Sequence, residues 1–113
     1  MAKYGIDTLK SMKVYKVKIS HKTWRDIEEL SDFLLTVMST EGARKYLDNM
    51  IAEVQSLSLL AGLYRVSPMV DIRQYHPRAR RMVSHNKRWV YIFHMEDDMV
   101  IVDRIRPSKT ITK

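Results

Sequence analysis

From Lys13 to Ser20 apolar and polar residues alternate. Val14, Lys16, Lys18 and Ser20 fall on one face, and Lys13, Tyr15, Val17 and Ile19 on the other. That period of two predicts a strand, and its lysines suit a sheet edge. The period then lengthens. Ser20 is placed to cap a helix in which Trp24, Ile27, Leu30, Leu34, Val37 and Met38 recur at three- and four-residue steps, with Arg25, Asp26, Glu28, Glu29 and Asp32 opposite. Thr40-Glu-Gly-Ala predicts a break and a fresh cap. A second amphipathic helix follows, with Ala43, Tyr46, Leu47, Met50, Ile51, Val54, Leu57 and Ser58 on its apolar face, and Gly62 suits its end. Two helices joined by so few residues make an antiparallel hairpin, and neither is stable in water without an apolar surface beneath it.

Pro68 and Pro77 bracket a connecting stretch. Three strands follow, over Arg80–His85, Arg88–Met95 and Met99–Arg106. Asn86-Lys87 and Glu96-Asp97-Asp98 supply the turns, and Pro107 ends the last strand. In the middle strand Trp89, Tyr91, Phe93 and Met95 share one face, while Arg88, Val90, Ile92 and His94 share the other. The order β-αα-βββ predicts an α+β fold, with a helix hairpin packed on one face of a four-stranded, mainly antiparallel twisted sheet. The aromatic face reads as core under the helices, Trp24 as further core, and the methionines as gap-fillers. Residues 13–108 form one domain, between an extension at 1–12 and a tail at 109–113.

Charge adds an asymmetry. Residues 1–62 carry 9 Lys and Arg against 8 Asp and Glu, a net of +1, while residues 63–113 carry 11 against 5, a net of +6. The excess lies in the strand-forming half, densest over 78–88. A cationic sheet joined to a near-neutral helix pair suits a polyanion or an acidic protein segment. The chain has no Cys, which fits a reducing cytoplasm and removes disulfides and thiolate metal sites. Its longest apolar run, about five residues, is far below the roughly 20 of a membrane span. The first residues show no signal-peptide core. No cofactor or metal is implied; Glu96-Asp97-Asp98 is a turn without a second ligand group spaced to join it.

Val14-Tyr-Lys-Val-Lys-Ile-Ser followed by Trp24-Arg-Asp-Ile-Glu-Glu-Leu, then Arg80-Arg81-Met-Val, Arg88-Trp-Val-Tyr91 and Met99-Val-Ile-Val-Asp-Arg-Ile-Arg106, resembles the RelE/ParE superfamily of toxins from type II toxin–antitoxin modules, also called plasmid-stabilisation proteins. The resemblance runs from about Val14 to Ser108. It implies a growth-arresting toxin held inactive by an antitoxin from the same operon, expected to be acidic and to wrap the toxin through a helix or extended segment. Trp24 is then alternatively part of the antitoxin groove. The implied action is ribosome-dependent mRNA cleavage; the alternatives are a ParE-type poison of DNA gyrase without nuclease activity, or a degenerate basic binding module.

Carried over by position, Arg88 matches the arginine that contacts the scissile phosphate in RNA-cleaving members, and Arg81 matches the basic residue of the preceding strand. An arginine fork suits phosphate because it binds two oxygens and never deprotonates. His85, beside the hairpin, is the candidate base, and Lys109 is the ionisable group of the tail. Arg78, Arg80, Lys87, Arg104 and Arg106 widen the target footprint, and Tyr64 or Tyr75 is available to stack on a base. RNA-cleaving members also carry a glutamate before the basic strand and a His/Tyr or Arg/Tyr pair after the last one; here no Glu lies between Glu53 and Glu96, and only Asp71 is available. The bland alternative is that these arginines form a solvated face, or pair with Asp71, Asp98 or Asp103. On the expected fold they project from a bare sheet face opposite the helices.

Overall fold

Ser20 starts the helical layer as its spacing predicts. Its Oγ accepts the Thr23 amide at 3.1 Å, and helix α1 runs over His21–Val37. Ser39 caps α2, Thr40–Gln55, in the same way, its Oγ accepting the Gly42 amide at 3.0 Å. The helical path continues through α3, Leu57–Leu60, and a 3-10 turn over Ala61–Leu63, so Gly62 lies within a turn rather than just after a helix. The computed structural model describes residues 13–110. The expected extension 1–12 and residues 111–113 of the expected tail lie outside the described residues.

The strands are β1, Lys16–Ile19; β2, Arg80–Val83; β3, Trp89–Glu96; and β4, Met99–Pro107. They form one sheet in the order β1-β4-β3-β2. β1 pairs with β4 in parallel, and the other two pairings are antiparallel. The first and second strands are shorter than the alternation suggested. β1 loses Lys13–Tyr15, where the Tyr15 amide bonds to the Ser58 carbonyl instead. β2 loses Ser84 and His85 to the hairpin loop.

The helix-covered face carries the main core. Tyr91, Phe93, Val100, Val102 and Ile105 pack against Ile27, Leu30, Leu34, Met50, Val54 and Leu57. Trp24 is not part of it. At 44% exposed it stands on the outer side of α1, because Thr23, one residue earlier, takes the inward position and donates its hydroxyl to the Val102 carbonyl at 2.8 Å.

β4 is bulged. Ile92 pairs with Arg104 and Phe93 with Val102, leaving Asp103 as the extra residue. The bulge resets the alternation, so Val100, Val102 and Ile105 all face the helices although the last step is three residues. β1 ends opposite Val102. The Ile105 amide, past that end, finds a partner in the Asp26 carboxylate at 3.0 Å.

The opposite, outer face is not bare. Residues 68–79, with a single helical turn α4 over Val70–Arg73, lie across it. Ile72 and Ala79 bury Val90 and Ile92 there, flanked by Met69 and Tyr75, in a second small core. The apolar outer residues of β3 demand this cover, since two fully buried branched side chains stabilise only when something apolar shields them. The expected open cationic face is therefore split, with charges around the rim of the covered strip.

Candidate functional site

The β2–β3 loop, residues 84–88, is built around Asn86. Its Oδ1 takes the Ser84 hydroxyl at 2.6 Å and the Arg88 amide at 3.0 Å. Ser84 Oγ in turn accepts the Trp89 amide at 3.1 Å. Lys87 closes the loop with φ 65°, a left-handed conformation that costs a residue with a Cβ. The loop is tied to the rest of the fold from two sides. From α2, Glu53 Oε2 accepts the His85 amide at 2.6 Å, and Tyr46 Oη takes Trp89 Nε1–H at 2.8 Å and Asn86 Nδ2–H at 3.2 Å. From the end of β4, Ser108 donates its amide to the Arg88 carbonyl at 2.9 Å and its hydroxyl to the Lys87 carbonyl at 2.7 Å. Ser108–Thr110 is a 3-10 turn that places Lys109 next to these bonds.

Sequence-predicted site residues thus separate into two groups. His85, Lys87, Arg88 and Lys109 come together at one end of the sheet, all exposed, and none of their side chains is in an ion pair among the described residues. Arg81 is exposed on the edge strand β2, opposite Ile92. Arg88 lies four residues before Ile92, so the two arginines are about 13 Å apart along the strands. Side chains that far apart reach successive phosphates of a chain more readily than one shared phosphate. Arg78 is exposed in the segment over the outer face.

The second group is committed to the fold. Arg104 donates from Nε and Nη2 to the two Asp26 oxygens, both at 2.9 Å, and the bond to Asp26 raises its already high pKa further. It is not available to a target; its carboxylate partner is none of the three aspartates the sequence offered. Arg80 faces the helical layer, donating to the Tyr64 carbonyl at 2.7 Å and the Ala61 carbonyl at 3.5 Å. It closes the end of the 3-10 turn, where carbonyls lack partners. Arg106 is half-buried, with an enclosed Nε, in a groove with Phe33, Trp89 and Pro107. Tyr64, partly buried, meets Phe93 edge-on at 5.9 Å against the main core, and Tyr75, also partly buried, packs against the second core, so both rings are engaged with the fold.

Two features were hidden from the sequence. Glu53 reaches the loop although 32 residues separate it from His85; its step from Val54 puts it on the flank of the apolar stripe, the one available signal. His94, expected on the same face of its strand as Arg88, is buried and bonds Asp103 at 2.7 Å. Burial raises the Asp103 pKa, with the His94 bond opposing. Among the described residues no three His, Asp or Glu side chains group to hold a metal ion, and no helix is long and apolar enough to cross a membrane.

No family model matches the chain, and no curated protein matches it either. Among solved structures it is similar to a chain from "Chromosomal ParDE TA system from P. aeruginosa", with a TM-score of 0.69 at 17% sequence identity, over 83% of this chain and 96% of that one. The likeness establishes a ParE/RelE-like fold: helices on one face of a four-stranded mixed sheet.

Proposed function

We propose that the chain is the toxin of a type II toxin–antitoxin pair and that it grips its target through the cationic end of the sheet without hydrolysing it. The carrying observation is the gathering of Lys87, Arg88 and Lys109 around Ser108, free of carboxylate partners among the described residues. The fold shared with a chain of a ParDE system supports the toxin role. The spacing of Arg81 and Arg88 supports contact with successive phosphates or acidic groups rather than attack at one. DNA gyrase with its bound DNA is the target class that fits such contact. The inhibitory partner is an acidic antitoxin from the same operon, since a basic surface of this kind recruits a segment of opposite charge.

Ribosome-dependent mRNA cleavage is the second reading. What favours it is Glu53, which brings a carboxylate to the cationic loop that the linear order of the chain withholds. Induced expression tests both. Growth arrest relieved by the adjacent acidic reading frame supports the toxin role, and normal growth with abundant folded protein rejects it. Inhibition of purified gyrase supercoiling with intact transcripts supports the first reading. Cut transcripts on ribosomes, with gyrase unaffected, replace it by the second.

A further inference from the structure

Residues 68–79 cross the outer face of the sheet and are fastened at one end by two stacked imidazoles. The His76 and His94 rings lie 3.7 Å apart and 2° from parallel. His94 belongs to β3 and is 5% exposed. Its Nδ1 is 2.7 Å from Asp103 Oδ2 and its Nε2 is 3.4 Å from Glu96 Oε1. A carboxylate at each nitrogen suits an imidazolium, which donates from both. His76 differs. Its Nδ1 is 3.0 Å from the Arg78 backbone nitrogen, and an amide N–H only donates. Nδ1 of His76 therefore offers its lone pair, and the ring is neutral, with its proton on Nε2. A second proton can enter only at Nδ1. There it turns the acceptor into a donor facing the Arg78 N–H, and it sets two cationic rings face to face.

Little else holds the segment. Its helix is one turn long, and its core consists of Ile72 and Ala79 on Val90 and Ile92, flanked by Met69 and Tyr75. The Ser67 amide bonds the Ala79 carbonyl at 2.8 Å and the Ala79 amide bonds the His76 carbonyl at 3.0 Å. Segments with so small a private core open with free energies below that of global unfolding.

We propose that residues 68–79 are a proton-operated strap: protonation of His76 breaks its bond to Arg78, separates the imidazole stack and lifts the segment, uncovering Val90 and Ile92 between Arg81 and Arg104. The charged and titratable groups around the stack come from every element there. Asp103 on β4 and Glu96 on β3 favour positive charge. Arg104 on β4, held by Asp26, and Lys18 on β1, in the row of His94 and Ile101, oppose it. The strap adds Arg78 and Tyr75. A proton on His76 costs the closed form its bond to Arg78 and sets positive charge against the His94 ring, so the closed form is favoured at high pH and gives way as pH falls. Burial pushes the Asp103 carboxyl up, so its protonation acts in the opposite sense. The proposal goes beyond the toxin reading and stands without it.

Amide hydrogen exchange on the full chain at pH 7.5 and 5.5, corrected for intrinsic rates, tests the strap. Arg78, Ala79 and Gln74 amides are expected to lose protection roughly tenfold or more at pH 5.5 while β3–β4 amides keep theirs. His76→Asn retains an oxygen acceptor two residues before Arg78 and cannot be protonated; its strap protection is expected to be equal at both pH values. Unchanged strap protection in the wild type, or the same loss in His76→Asn, overturns the proposal. Should His76→Asn not fold, an NMR titration of the wild type decides. Strap amide shifts sharing the midpoint of the His76 ring support it, and a midpoint shared only with His21 or His85 rejects it.

Discussion

Glu53 accepts the phenolic proton of Tyr91 at 2.8 Å across the interface between α2 and β3. Burial of the ring, and then this bond, push Tyr91 ionisation far above the ordinary tyrosine range. Folded Tyr91 stays neutral where the unfolded chain ionises. Its contribution is thus complete below about pH 10 and falls above that by about 1.4 kcal/mol per pH unit. Tyr91→Phe is expected to cost about 1 kcal/mol at pH 7, and the gap to the wild type should close as pH rises past 10. Denaturant unfolding from pH 7 to 11 checks this, and a gap that stays constant contradicts it.

Asp26 holds Arg104 and the Ile105 amide together, and its side chain is 9% exposed against 27% for Arg104. Asp26→Ala leaves a half-buried guanidinium and an edge amide without their partner, an expected loss of about 3 kcal/mol. Asp26→Asn keeps an acceptor for the Ile105 amide and should lose clearly less. The freed Arg104 adds positive charge to the outer face, so the alanine variant should also leave a heparin column at higher salt than the wild type. Equal destabilisation by the two substitutions would remove the carboxylate from this account.

The element order, the cap at Ser20 and the aromatic core face were legible because each rests on local periodicity or a local hydrogen bond, while the second cap falls on Ser39, one residue before the expected break at Thr40. The β4 bulge was not: Val100, Val102 and Ile105 break the period of two by one residue, and without it Arg104 and Ile105 exchange faces. The cover on the outer face was not legible either, although Val90 and Ile92 called for one. Ile72, which supplies it, sits in a stretch with no period to read. The cationic site was half legible. Composition located the charge, but Arg80 and Arg104 are consumed by carbonyls and a carboxylate 16 to 78 residues away, pairings that no spacing rule reaches.

Arg81, Arg88 and Arg80 should therefore respond differently to alanine. Arg81→Ala and Arg88→Ala leave the fold intact, with stability changes within about 0.5 kcal/mol, and weaken binding to the anionic target. If each meets one phosphate, each lowers the salt slope of binding by about 1. Arg80→Ala strips the donor from the Tyr64 and Ala61 carbonyls and should cost about 1–2 kcal/mol of stability while leaving the salt slope unchanged. Binding isotherms at several salt concentrations beside thermal melts separate the two classes, and a salt slope that falls only for Arg80→Ala would reverse the assignment.

Ser108 decides whether the cationic loop is preorganised. Its hydroxyl bond to the Lys87 carbonyl is exposed, so Ser108→Ala should change global stability by only about 0.5 kcal/mol. The loop it releases carries Lys87 in a left-handed conformation that gains by relaxing. Exchange protection at the Lys87 and Arg88 amides is expected to fall, and target binding to weaken through a faster off-rate with the on-rate kept, because net charge is unaltered. Surface-immobilised target and a stopped-flow association series measure the two rates. A slower association with an unchanged off-rate would mean that the loop contributes charge alone and that its geometry is immaterial.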